Sequence, residues 1–125
     1  MRTIHTRQIT KIIKELCITA NYDLPREITE SLRKGYETEE SPAGKDILKQ
    51  ILENERIARE ERCPLCQDTG TACVYLDIGQ EVTLEGPPLR EAVDEGVRRG
   101  YEKGYLRKSI VRDPLIRENT GDNTP

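Results

Sequence analysis

Cys63 and Cys66 form a C-x-x-C knuckle inside the stretch ERCPLCQDTGTACVYLDIGQ that begins at Glu61. A thiolate pair at that spacing is half of a tetrahedral zinc site, which needs two further thiolate or imidazole ligands, usually from a second knuckle or a histidine pair. Neither is in the sequence: Cys17 and Cys73 stand alone, and the single histidine, His5, has no partner and reads as a surface or capping residue. The same spacing at a helix N-terminus would lower one thiol's pKa for redox exchange, but here the pair precedes a strand-like segment and has no helix dipole behind it. A third chemistry makes one cysteine an iron-sulfur ligand and the residues behind it a substrate site. Gln67, Asp68, Thr69 and Thr71 place an amide, a carboxylate and two hydroxyls directly after Cys66, and Gly70 lets a backbone come close. Asp-Thr-Gly is equally an ordinary polar turn, so on these letters alone both readings stand.

The rest of the chain must position this stretch. At 125 residues it has the length of one domain, with a modest core. Apolar and charged residues each make up 34%, and Phe and Trp are missing, so the core falls to Ile, Leu and Val. The 20 basic and 23 acidic residues are interspersed and sum to −3, which leaves no basic stripe for a nucleic-acid backbone. No apolar run reaches the roughly 18 residues that a membrane helix needs, and no signal-peptide pattern is present. The sequence reads as that of a soluble, cytoplasmic protein, whose cysteines are then thiols, metal ligands or catalytic groups rather than a disulfide framework.

Apolar residues at Ile9, Ile12, Ile13, Leu16 and Ala20 predict one buried helix face, with Cys17 beside it as a small packed side chain. A second helix is expected from Pro25, burying Ile28, Leu32 and Tyr36, and a third from the cap Ser41 and Pro42, burying Ile47, Leu48, Ile51 and Leu52. Residues 72–78 alternate as a half-buried strand does, with Cys73 packed, and GQEVTLEG looks like its hairpin return. A last helix starts at Leu89 with the stripe Leu89, Ala92, Val93, Val97 and Tyr101; Gly96 and Gly100 lie four apart, where another helix backbone could approach. LRKSIV is a short strand candidate, and residues 119–125 are turn chemistry with no element following, either a frayed tail or a loop awaiting a partner.

With these elements placed, the sequence resembles the class I fumarate hydratases and L-tartrate dehydratases, oxygen-sensitive iron-sulfur hydro-lyases, and in particular the N-terminal part of their alpha subunit. The motifs that carry the resemblance are CQDTGTACVYLDIGQ from Cys66, GYLRKSIVRDPL from Gly104 and RENTGDNTP near the end, with weaker matches at ANYDLP from Ala20 and SPAGKDILKQILENERIA from Ser41. The elements read above predict an α+β fold in which N-terminal helices, over 1–62, pack on a small mixed β-sheet over 63–125, and the resemblance places the cluster-ligand loop in that second part. It also implies a 4Fe-4S cluster held by three cysteines, with one iron left open for substrate.

What the resemblance transfers falls on four residues. Cys66 matches the cluster ligand of the C-Q-D-T-G motif, Gln67 would contact substrate, Asp68 would join proton transfer, and Arg107 would grip a carboxylate of a small dicarboxylate with its guanidinium fork. No catalytic role is transferred to Arg117, Asn119, Thr120 or Asp122. The other two cluster cysteines are expected outside this chain, which on this resemblance is truncated at its C-terminus. Its expected partners are a beta subunit or C-terminal domain of the same enzyme within an oligomeric assembly, with no nucleic acid and no membrane. The implied reaction is hydration of fumarate to malate or the matching dehydration of L-tartrate. The reading from a different class is a noncatalytic zinc-binding or interaction module that uses Cys63 and Cys66.

Overall fold

A computed structural model describes residues 2–66 and 70–125. Among them the elements run β1 (Arg2–His5), α1 (Thr6–Tyr22), α2 (Arg26–Thr38), α3 (Pro42–Glu61), β2 (Val82–Glu85) and α4 (Leu89–Lys103). The α+β expectation holds. The described sheet is a parallel pair, with Arg2 opposite Val82 and His5 opposite Glu85, so GQEVTLEG does supply a strand but not the return arm of a hairpin. Parallel strands cannot be joined by a tight turn. The partner is instead the N-terminal strand, which carries too few apolar residues to announce itself.

The chain forms two compact units, one from residues 1–18 with 68–125 and the other from 19–67. In the first, each strand leads straight into a helix. His5 Nδ1 accepts from the Arg7 N–H at the start of α1, the capping role its position allowed. Gly86, at φ +99°, lets the end of β2 pass over the His5 imidazole, because a Cβ there would lie 2.5 Å from its Cε1. The helix pair α1 and α4 is set by the glycines: a Cβ on Gly96 would meet Ile13 at 2.8 Å, and one on Gly100 would meet Cys17 Cβ at 2.6 Å. Two hydroxyls stitch the same face, Thr6 Oγ1 donating to the Pro87 carbonyl at 3.0 Å and Thr10 Oγ1 to the Ala92 carbonyl at 2.8 Å.

These glycines decide which face of α1 is inside. Thr6, Thr10 and Ile13 are buried and Cys17 is half-buried, its thiol pKa raised by that burial, whereas Ile12 and Leu16, counted on for the core, are exposed. The α4 stripe holds, with Ala92, Val97 and Tyr101 buried.

In the 19–67 unit, α2 and α3 form a helical pair. The Ser41 side chain accepts the Gly44 N–H at the N-terminus of α3, Pro42 opens the first turn, and Arg62 closes the helix in the left-handed conformation at φ 53°. Leu32, Leu48 and Leu52 are half-buried as the pattern required, while Ile28, Tyr36, Ile47 and Ile51 stay exposed.

The expected strand over 72–78 is not formed among the described residues, and Val74, Tyr75, Leu76 and Ile78 are exposed. Alternation makes a strand only where a neighbour supplies ladder hydrogen bonds, and this segment has no such ladder here. LRKSIV is likewise not a strand; its one ladder contact is an antiparallel bridge from Val111 to Asn119. Among the described residues no helix is long and apolar enough to cross a membrane.

Candidate active site

After its left-handed cap at Arg62 the chain leaves α3 and is pinned along the next four residues. The Cys63 N–H donates back to the Ala58 carbonyl at 3.2 Å and the Leu65 N–H to the Asn21 carbonyl at 2.8 Å. Arg62 reaches both carboxylate oxygens of Asp23, at 3.1 and 3.2 Å, and lies over the Tyr22 ring. Leu65 is buried, and the Cys66 N–H donates to Asn54 Oδ1 at 3.0 Å. The backbone of Cys66 is therefore held while its side chain is exposed. An exposed thiol on a fixed backbone suits a soft-metal ligand better than a packing role. Cys63 is half-buried, and among the described residues no three His, Cys, Asp or Glu side chains converge on a metal position. Cys73 is exposed, not packed as the alternation required, because the strand that would have buried it is missing.

Gln67 and Asp68 lie outside the described residues. Arg107 is exposed. It follows Leu106, which is buried and donates its N–H to the Tyr101 carbonyl at 3.0 Å, so the guanidinium stem starts from an anchored backbone.

The C-terminal motif is a folded clasp rather than a frayed tail. Asp113 Oδ1 accepts the Leu115 and Ile116 amides to turn the chain, the Arg112 N–H donates to Glu118, and the Thr120 N–H donates to the Ile110 carbonyl at 3.0 Å. The Asn119 side chain donates to the Lys108 carbonyl and accepts the Gly121 amide. Asp122 is gripped from two sides: Arg98 Nε of α4 donates to Oδ2 at 3.0 Å, and the backbone N–H and hydroxyl of Thr124 donate to Oδ1. The Arg98 guanidinium first, and then the Thr124 N–H, hold the Asp122 carboxyl far below the usual carboxylate range.

Asn123 and Thr124 are then buried. Asn123 Oδ1 accepts the Ser109 N–H at 2.7 Å and the Ile110 N–H at 3.2 Å, while its Nδ2 donates to the Gly70 carbonyl at 3.3 Å. Gly70 belongs to the first motif, Ser109 and Ile110 to the second and Asn123 to the third, so one side chain brings three separated motifs together. The Ser109 hydroxyl beside it is buried without a partner among the described residues. Sequence reasoning passed over Asn123. The available signal was an Asn in a Gly- and Asp-rich turn, the residue type that tolerates the left-handed backbone it adopts at φ 62°.

Comparison with known proteins agrees with the motif reading. A family model described as Fumarate hydratase (Fumerase) matches residues 10–125. A Methanocaldococcus jannaschii protein named "Putative L(+)-tartrate dehydratase subunit alpha" is 38% identical over 117 residues, which is 93% of this chain and 41% of that one. The L(+)-tartrate dehydratase subunit alpha of Escherichia coli K12 is 26% identical over 94% of this chain and 38% of its own length. A Geobacillus stearothermophilus protein named "Putative fumarate hydratase class I" is 27% identical over 87% of this chain and 21% of its own. The chain thus spans about two-fifths or less of the curated relatives it matches.

Proposed function

The chain belongs to the fumarate hydratase (Fumerase) family, and from that premise we propose that it is the N-terminal part of the alpha subunit of an iron-sulfur hydro-lyase. Its reaction would be reversible addition of water to fumarate, giving malate. Dehydration of L-tartrate is the second reading, favoured by the name of the 38% identical relative. What carries the proposal is the coincidence of the C-Q-D-T-G motif, inside the matched residues, with a Cys66 thiol that is exposed on a pinned backbone.

Cys66 would supply one of three thiolates to a 4Fe-4S cluster, the other two coming from outside this chain, in an assembly with a beta subunit or C-terminal domain. When bound, that cluster supplies a Lewis-acidic iron to the hydroxyl and carboxylate of the substrate. The chain's own groups do the rest. Gln67 orients a substrate carboxylate through its amide, Asp68 carries a proton to or from the adjacent carbon, and Arg107 offers a planar fork to a carboxylate. A fixed cation there also favours the negative charge that spreads into the carboxylate as the proton leaves.

The test is anaerobic reconstitution of the complete assembly followed by metal and sulfide analysis. Iron with acid-labile sulfide, and turnover of fumarate or L-tartrate, are expected; Cys66→Ser should lose the brown chromophore and all turnover. Zinc without sulfide would sink the proposal in favour of the Cys63 and Cys66 zinc module. Parallel assays with the two substrates decide between hydration and tartrate dehydration.

A further inference from the structure

We propose that Asn123 is a positioning residue of this site, and that its buried amide ties the backbone at Gly70, two residues after Asp68 in sequence, to the segment that follows Arg107. The inference rests on the hydro-lyase reading above and adds to it a residue that no motif role covers. Asn123 is only 3% exposed. Two backbone N–H groups point at one end of its side chain and a carbonyl at the other, so the oxygen must face Ser109 and Ile110 and the nitrogen must face Gly70. A primary amide answers both demands at once, whereas an ionised carboxylate offers no donor.

The connectivity gives those bonds their meaning. Gly70 follows Asp68 by two residues, and Ser109 follows Arg107 by two. One side chain thereby joins the backbone at Gly70, after the proposed proton carrier in sequence, to the backbone at Ser109 and Ile110, after the proposed carboxylate grip. Its own backbone is held from α4 through the Arg98–Asp122 pair and the Asp122–Thr124 bonds, so the amide is in place before substrate arrives. Preset geometry of this kind matters because a misplacement of about 1 Å can cost on the order of 100-fold in rate.

Two substitutions separate the halves of the amide. Asn123→Asp keeps an acceptor for Ser109 and Ile110 but sets a carboxylate against the Gly70 carbonyl; Asn123→Gly removes the whole side chain and suits the left-handed backbone without strain. In the complete, cluster-loaded assembly, Asn123→Asp should lower kcat roughly 10- to 100-fold, with KM, iron and sulfide held. Hydrogen exchange at the Ser109 and Ile110 amides should stay slow. Asn123→Gly should speed that exchange and raise KM as well. In an Asp68→Asn background, Asn123→Asp should cost nothing further, since the two act through one proton transfer.

Wild-type turnover in Asn123→Asp overturns the inference, and so does an equal fractional loss with and without the Asp68 carboxylate, which would mark Asn123 as structural only. Wild-type turnover in Asp68→Asn is a different failure: it removes the active-site reading itself, and this inference with it.

Discussion

The two units of the chain reach order by opposite routes. In residues 19–67 the helices are made locally. A Ser cap, an N-terminal proline and a left-handed Arg62 bound α3, and exposed pairs such as Arg26 with Glu30 and Arg56 with Glu53 line the surfaces. Such exposed pairs contribute little stability each, and Ile28, Tyr36, Ile47 and Ile51 remain exposed beside them. In the other unit order is made at a distance. Gly96 and Gly100 admit Ile13 and Cys17 of a helix some eighty residues earlier, and the buried amide of Asn123 ties residues 70, 109 and 110. A unit of the first kind tolerates local change, whereas the second kind is only as good as its closest contacts.

The sharpest way to break this contrast uses a glycine. Gly100→Val forces a branched side chain where even a lone Cβ would sit 2.6 Å from Cys17 and 3.1 Å from the Lys14 carbonyl. We expect a loss of about 3 kcal/mol or more in denaturant unfolding; a loss within error would show that α1 and α4 do not depend on that approach.

The proposed chemistry comes next. Arg107→Ala should raise KM for the dicarboxylate roughly 10-fold or more, the worth of a charge-assisted bond, and leave iron and sulfide content untouched. An unchanged KM discards the carboxylate grip.

Gly35 provides the matched control in the local unit, since a Cβ there meets only Leu48 Cδ1 at 3.8 Å, an ordinary contact. Gly35→Ala should therefore stabilise by about 0.4–1 kcal/mol, opposite in sign to Gly100. Destabilisation by that change would mean α2 and α3 are as tightly set as the other helix pair.

The smallest effect is a pH dependence. The folded Asp122 carboxyl titrates below its ordinary value of 3.8. Its contribution to stability is thus complete above that value and fades as pH falls through the lowered folded-state one. Wild type and Asp122→Asn should differ in denaturant midpoint at pH 6, and the difference should shrink as acid is added below about pH 4. A gap that stays constant down to strong acid would remove the charge from the clasp.

How much of this was legible beforehand follows from the same contrast. Ser41, Pro42 and the apolar spacing from Leu89 mark helix ends and faces through short-range physics, and α3 and α4 lie where those signals put them. The spacing of Ile9, Ile12 and Leu16 located α1 but misjudged its inner face, because that face is chosen by glycines on another helix. Residues 72–78 alternate correctly and still form no strand here, since a ladder is a property of two segments. The motif singles out Cys66 as a candidate and leaves Asn123 unmarked, because nothing local distinguishes an asparagine that closes a turn from one that bridges three segments.

By itself the sequence determined the helices and the family, because capping, periodicity and motif order act between near neighbours. Tertiary structure alone decided that β2 pairs with the N-terminal strand, that Thr6 and Thr10 rather than Ile12 and Leu16 face inward, and that the C-terminal turn folds onto Gly70, Ser109 and Ile110. Those outcomes depend on which distant backbone arrives to meet each donor, acceptor or missing Cβ, and no window of neighbouring residues contains that information.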